Sequence, residues 1–211
     1  MILRKDILIP CGDITLEGML EFPEAPVNLP QAALILHPHP LYGGNMFNNV
    51  TSSLSSGLLE HGIAALRFNF RGVGKSGGTH GNGVDEIQDV LAAITFLDSL
   101  DEVDSSNLIL AGYSFGCWVG LKAAAQESRP MRLIGVSPPV DMYDFSFLVN
   151  EMRPKILLAG DRDFVCSIGK FLELAAKIPE PKRIVTLEGA DHFHFGREDQ
   201  IISETVQFLN L

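Results

Sequence analysis

The sequence predicts an α/β fold, with a mostly parallel sheet and helices on both faces. Three observations predict it. From residue 32 onward, short apolar runs alternate with longer segments of helical period, the pattern of strand–helix–strand units. The apolar runs are nearly continuous, as strands covered on both faces require. The polar clusters fall just after those runs, at the carboxyl ends of the strands, where such sheets gather their loops.

The elements follow in order. Residues 3–9 and 14–22 are two strand-like runs around Cys11-Gly12-Asp13 and read as an antiparallel hairpin. Residues 23–30 hold three prolines and read as a loop. Residues 32–36 form an apolar strand, 48–60 a helix and 63–68 the next strand. Residues 84–100 carry apolar side chains at helical spacing and predict an amphipathic helix. A strand at 107–111 and a mostly apolar helix at 117–125 come next. Strands at 133–136, 155–159 and 183–187, with helices at 170–177 and 199–209, complete a sheet of about eight strands. There is no internal repeat and no low-complexity segment.

The 211 residues fit one domain, 1–211, with an ample core. Apolar residues make up 46% and charged residues 20%, the balance of a globular chain. The net charge is −10, with no basic stripe, so neither nucleic acid nor an anionic membrane is an expected partner. Cys11, Cys117 and Cys166 are too scattered for a disulfide framework, and no two show metal-site spacing. The first residues carry charges without a long apolar stretch behind them, so no signal peptide is expected. The longest apolar run, 108–125, is broken by Ser114 and Lys122 and is not read as a membrane span. The expected location is the cytoplasm.

Gly112-Tyr113-Ser114-Phe115-Gly116 is a G-x-S-x-G pattern between a predicted strand and a predicted helix. A serine there sits on a sharp turn that pushes its hydroxyl out of the sheet, toward the N-terminus of the following helix. A serine hydroxyl is a weak nucleophile and needs a base within reach, oriented by an acid. Both are available downstream. Asp161 and Asp163 follow the strand 155–159, and His192 and His194 follow the strand 183–187. Asp141, after the strand 133–136, is a further candidate acid.

On these residues the chain resembles a small α/β-hydrolase of the serine-esterase type, with a His-Pro-His-Pro loop and no cap domain. The resemblance runs from about residue 14 to 209. It implies the order Ser114, Asp163, His192. The acid corresponds to Gly-x-x-Asp at Gly160 and Asp163, and the base to Asp-His-aromatic at Asp191-His192-Phe193. One oxyanion donor is then the backbone N–H of Phe115, the residue after the nucleophile. The other should come from the loop after strand 32–36, His37-Pro38-His39-Pro40-Leu41-Tyr42-Gly43-Gly44. Prolines have no N–H, which excludes Pro38 and Pro40 and leaves His39, with Leu41 as the alternative. Relatives commonly carry His-Gly-Gly-x at this place, so the loop departs from their pattern. His37 and His39 have no third His or Cys nearby to complete a metal site, and a structural role is expected for His37. No cofactor is implied.

Arg71-Gly72-Val73-Gly74-Lys75-Ser76-Gly77 imitates two nucleotide motifs and fits neither. The G-x-G-x-x-G spacing is followed by further glycines instead of a helix, and a P-loop needs glycine where Asn69 stands. The segment resembles the Arg-Gly-x-Gly-x-Ser loop of α/β-hydrolases and is expected to shape the site wall. Residues 137–154 are too few for a cap domain, which predicts an open cleft. Tyr42, Phe145 and Phe147 are expected to line part of it, unless they are core.

The resulting expectation is a serine hydrolase that cleaves a small carboxylic ester through an acyl-enzyme, with short acyl groups preferred. Thioesterase and peptidase use the same machinery. A non-catalytic binding module on a hydrolase scaffold is the alternative of another kind.

Overall fold

The structure, a computed structural model, describes residues 3–24 and 28–211. Side chains of a strand point alternately to opposite faces, and here both faces are apolar. In strand β3 (Gln31–Leu36), Leu34 and Leu36 enter one core while Ala33 and Ile35 enter the other. Strand β7 (Lys155–Gly160) does the same, with Leu157 and Ala159 on one side and Ile156 and Leu158 on the other. A sheet dressed in this way must be covered twice. Helices α1 (Asn49–Glu60) and α5 (Glu198–Leu209) cover one face. Helices α2 (Glu86–Asp98), α3 (Phe115–Ala124) and α4 (Ile168–Lys177) cover the other.

The eight strands take the order β1-β2-β4-β3-β5-β6-β7-β8. Strands β1 (Leu3–Cys11) and β2 (Ile14–Phe22) form the antiparallel hairpin, with Leu3 opposite Phe22 and Cys11 opposite Ile14. β2 also runs antiparallel to β4 (Ala64–Phe68). The pairs from β4 through β3, β5 (Asp104–Tyr113), β6 (Arg132–Val136), β7 and β8 (Lys182–Leu187) are parallel. The carboxyl ends of β3, β5, β6, β7 and β8 therefore open on one edge of the sheet.

Several boundaries differ from the sequence expectation; β1 runs on to Cys11 and α4 starts at Ile168, each two residues beyond the expected end. β5 starts at Asp104, upstream of the apolar run, because backbone pairing with Gln31 does not require buried side chains. α2 is shorter than 84–100 at both ends. The Glu86 carboxylate accepts the Gly81 and Gly83 amides at 2.7 Å each, which keeps Val84 in the preceding turn. α3 begins at Phe115, directly after the serine, two residues earlier than expected. The proline-bearing loop at 23–30 is described only at its ends, since residues 25–27 lie outside the described residues, as do residues 1 and 2 of the amino terminus. Between β6 and β7 there is one short 3₁₀ turn, Ser146–Asn150, and no cap. Among the described residues no helix is long and apolar enough to cross a membrane. The three cysteines are buried and free.

Candidate active site

The turn at the end of β5 holds Ser114 at φ +54° and ψ −117°, a left-handed conformation that side chains disfavour. Its surroundings impose it. The Ser114 amide donates to the Val136 carbonyl at 2.9 Å. A Cβ on Gly112 would lie 2.4 Å from the Gly116 carbonyl oxygen, and one on Gly116 would lie 2.5 Å from that of His37. Only glycine lets the strand, the helix and the neighbouring loop approach so closely.

Ser114 Oγ lies 2.9 Å from His192 Nε2, and His192 Nδ1 lies 2.9 Å from both oxygens of Asp163. An ionised carboxylate can only accept, so Nδ1 carries a proton and donates it toward Asp163. Nε2 is then a bare acceptor for the Ser114 hydroxyl. Asp163 Oδ1 also accepts the amides of Val165 and Cys166 at 2.8 Å each. Burial opposes its ionisation, but hydrogen bonds and charge from His192, with help from Ser137 and the Val165 amide, hold its carboxyl below the ordinary range. The Tyr113 hydroxyl donates to the His192 carbonyl at 2.6 Å, and burial pushes its pKa up, so it stays a donor.

The other candidates are engaged elsewhere. Asp161 accepts the Gly189 amide at 2.7 Å and ties two loops together. Asp141 pairs with Lys170 at 2.7 Å and accepts the Ser167 amide, and the Lys170 contact first of all draws its pKa down to about 2. His194 is fully buried, with Nε2 at 2.7 Å from Ser137 Oγ.

In the loop after β3, the Leu41 amide donates to the imidazole Nδ1 of His39 at 3.2 Å and is thereby occupied. Among the described residues nothing accepts from the His39 amide, whose carbonyl takes the amides of Tyr42 and Gly44. The Phe115 amide stands at the first position of α3, where the helix offers it no partner. His37 is fully buried and bridges the loop. Its Nε2 accepts the Phe70 amide at 3.0 Å, and its Nδ1–H donates to the Pro38 carbonyl at 2.6 Å. Burial lowers its pKa to about 4, so the ring is neutral.

Two expectations about the walls are corrected. None of residues 71–77 lines the cleft. Arg71 instead pairs with the buried Asp89 at 2.7 Å, and Ser76 Oγ bridges the Glu17 amide and the Asn69 carbonyl, so the segment clamps α2 and β2 together. Phe145 is 3% exposed and packs in the core, with Phe147 against it. The Trp118 indole donates to the Asp144 carbonyl and draws that stretch inward.

The cleft over Ser114 and His192 measures about 480 Å³. Tyr42 does line it, joined by Met142, Tyr143, Phe164, Val165 and Phe193, which sequence reasoning missed. Phe164 and Phe193 had a cheap signal, since each directly follows a candidate catalytic residue. Tyr143 had none, because its place depends on stacking against Trp118 at 4.0 Å. His80 was also missed. It lies 2.8 Å from the buried Glu86 carboxylate and packs its ring 5.0 Å from that of His39.

Residues 33–159 match the alpha/beta hydrolase family. An uncharacterized protein of Rickettsia prowazekii is 38% identical over 187 residues, covering 84% of this chain and 78% of that protein. An alpha-beta serine hydrolase homologue from Coxiella burnetii superposes with a TM-score of 0.87 at 34% identity, over 97% of each chain. A serine hydrolase without a lid from Xanthomonas campestris superposes at 0.89 with 28% identity, over 98% of this chain and 94% of its own. This chain belongs to the alpha/beta hydrolase family, and that membership supports hydrolase activity.

Proposed function

We propose that the protein is a serine hydrolase that cleaves a small carboxylic ester through an acyl-enzyme, acting as a single domain. The observation that carries this reading is the hydrogen-bonded chain Ser114–His192–Asp163, drawn from three separate loops. Ser114 Oγ attacks the acyl carbonyl while its proton passes to His192 Nε2. Asp163 holds the imidazole and stabilises its charged form. The tetrahedral oxyanion lies between the amides of Phe115 and His39, both without an acceptor among the described residues. Collapse expels the alcohol, which takes the proton from His192. A water, deprotonated by His192, then attacks the acyl carbon, and the bond to Ser114 Oγ breaks as His192 returns the proton to that oxygen, releasing the acid. Drawn this way, the reaction uses no cofactor.

The partner is a small acyl compound. The lidless, apolar cleft supports short acyl groups, because a long chain would leave it and meet water. Buried, unpaired thiols accord with a cytoplasmic location.

The test is labelling by a fluorophosphonate probe, with Ser114→Ala as the control, followed by a panel of activated esters and thioesters of rising acyl length. Labelling confined to the wild type and highest kcat/KM on short esters are expected. Labelling that persists in Ser114→Ala would sink the mechanism. Preference for thioesters would move the assignment to a thioesterase, and a wild type that neither labels nor turns over would make the chain a binding module.

A further inference from the structure

Beside the two proposed oxyanion donors lies a histidine that this mechanism does not use. His80 sits in the loop between β4 and α2, and its side chain is 11% exposed. It does not line the cleft. Its ring instead packs 5.0 Å from that of His39 and 5.6 Å from that of Phe115. The rings of His39 and Phe115 lie 4.7 Å apart, so the three close a triangle. Two of its corners are the side chains of the residues whose amides face the oxyanion. His80 is the third.

The loop that carries His80 is held from two sides. Glu86, the first residue of α2, is fully buried, and its carboxylate oxygens accept the amides of Gly81 and Gly83 at 2.7 Å each. The oxygen that takes the Gly81 amide also lies 2.8 Å from His80 Nδ1, a close polar contact that lacks the alignment of a hydrogen bond. Among the described residues His80 is the only basic side chain against Glu86. On the other side, a Cβ on Gly83 would lie 2.0 Å from the Trp118 ring. The loop is thus pressed onto α3, the helix that begins with Phe115.

The His39 ring, in turn, is tied to its own backbone. Its Nδ1 accepts the Leu41 amide at 3.2 Å, so the ring cannot turn without loosening the 3₁₀ turn Pro40–Tyr42. Tyr42 covers it at 4.8 Å. A ring wedged among Tyr42, Phe115 and His80 therefore fixes the His39 backbone against the start of α3. That separation matters, because oxyanion donors act within about 2.7–3.1 Å of the developing charge, and a misplacement of about 1 Å can cost 10²-fold.

We propose that His80 is a positioning residue for the oxyanion hole. Its ring, seated by Glu86, wedges against the His39 and Phe115 rings and keeps the two amides at a fixed separation. The inference rests on the reading of those amides as oxyanion donors beside a catalytic Ser114. The role falls on the tetrahedral intermediate and not on the substrate as first bound, so kcat should feel it and KM should not.

The experiment compares the wild type with His80→Ala, His80→Gln and His80→Phe in steady-state ester hydrolysis and in inhibition by a small trifluoromethyl ketone, with a thermal melt of each. The serine hydroxyl adds to such a ketone, whose oxygen then stands where the oxyanion forms. Ala removes the ring, Gln keeps a polar N–H for Glu86 without a ring, and Phe keeps a ring without the polar atoms. The expected result is a kcat about tenfold lower in His80→Ala and His80→Gln, part of the 10²–10³ that one oxyanion donor supplies. KM should stay unchanged, the ketone should bind about tenfold more weakly, and His80→Phe should recover most of both losses. An unchanged kcat in His80→Ala would overturn the inference, as would a loss of kcat without weaker ketone binding. Recovery in His80→Gln and not in His80→Phe would overturn it too, since the contact with Glu86 alone would then be what matters. If His80→Ala fails to fold, the Gln and Phe variants carry the same comparison. A wild type that neither labels with fluorophosphonate nor turns over would instead defeat the catalytic reading itself.

Discussion

Ser114 is strained, and the strain serves its exposure to the cleft. At φ +54° the residue is held by the Val136 carbonyl and by two glycines that nothing larger can replace. Replacing Ser114 with Ala should lower kcat by about 10⁶ and leave the melting temperature near that of the wild type. Steady-state hydrolysis and calorimetry check both halves. Asp163→Asn should cost about 10⁴ in kcat, because the amide can offer an N–H to Nδ1 and select the wrong imidazole tautomer. A kcat within tenfold of the wild type would show that another group orients His192. At this scale the sequence was legible where chemistry and spacing coincide. Asp163 follows Gly160 in the expected pattern, while His194, two residues from His192, stayed a rival to it until its partner Ser137 was placed.

At the scale of elements, the oxyanion loop and the elbow are packed as one piece. A methyl group on Gly116 would strike the His37 carbonyl, a backbone atom on the loop that carries His39. Gly116→Ala should therefore lose about 1–3 kcal/mol of stability by overpacking and lose activity as the two proposed donors move apart. Urea unfolding and ester turnover read the two effects. The glycine-rich segment after β4 acts at the same scale, but on stability. Asp89 is fully buried against Arg71, so Asp89→Ala leaves a largely buried guanidinium with only the exposed Asp85 carboxylate, at 3.5 Å, and should cost about 3 kcal/mol by urea unfolding. Fluorophosphonate labelling of the folded fraction should persist, since none of residues 71–77 lines the cleft. The sequence excluded nucleotide binding for this segment by its missing helix and by Asn69. It could not say that the segment clamps α2 to β2, because that depends on where β2 pairs.

Over the whole molecule, buried carboxylates tie stability to pH. In Glu21, burial opposes ionisation, but Ser55 at 2.7 Å and Arg67 at 2.6 Å hold its pKa down, as His192 and Ser137 do for Asp163. Both groups are easier to ionise folded than unfolded. Their stabilisation is therefore complete above the ordinary carboxylate range near pH ~4 and is lost as pH falls through the lower folded values. Melting temperatures should begin to fall below about pH 6.5, where unfolding lets the buried neutral His37 take up a proton, and fall steeply below about pH 4. A melting temperature that holds to about pH 2 would contradict this. The double-sided apolar strands and the helical periods between them determined the α/β architecture from the sequence alone, because burial on two faces leaves a local signature in each central strand. The order of Ser114, Asp163 and His192 was legible for the same reason, since each follows a strand that announces itself. Only the tertiary structure decided that Phe145 is core while Phe164 and Phe193 face the cleft, that the His39 ring occupies the Leu41 amide while the His39 amide is left open, and that Ser137 pairs with His194. Those outcomes depend on contacts between loops far apart in the chain, and no local pattern encodes which loop end will meet which.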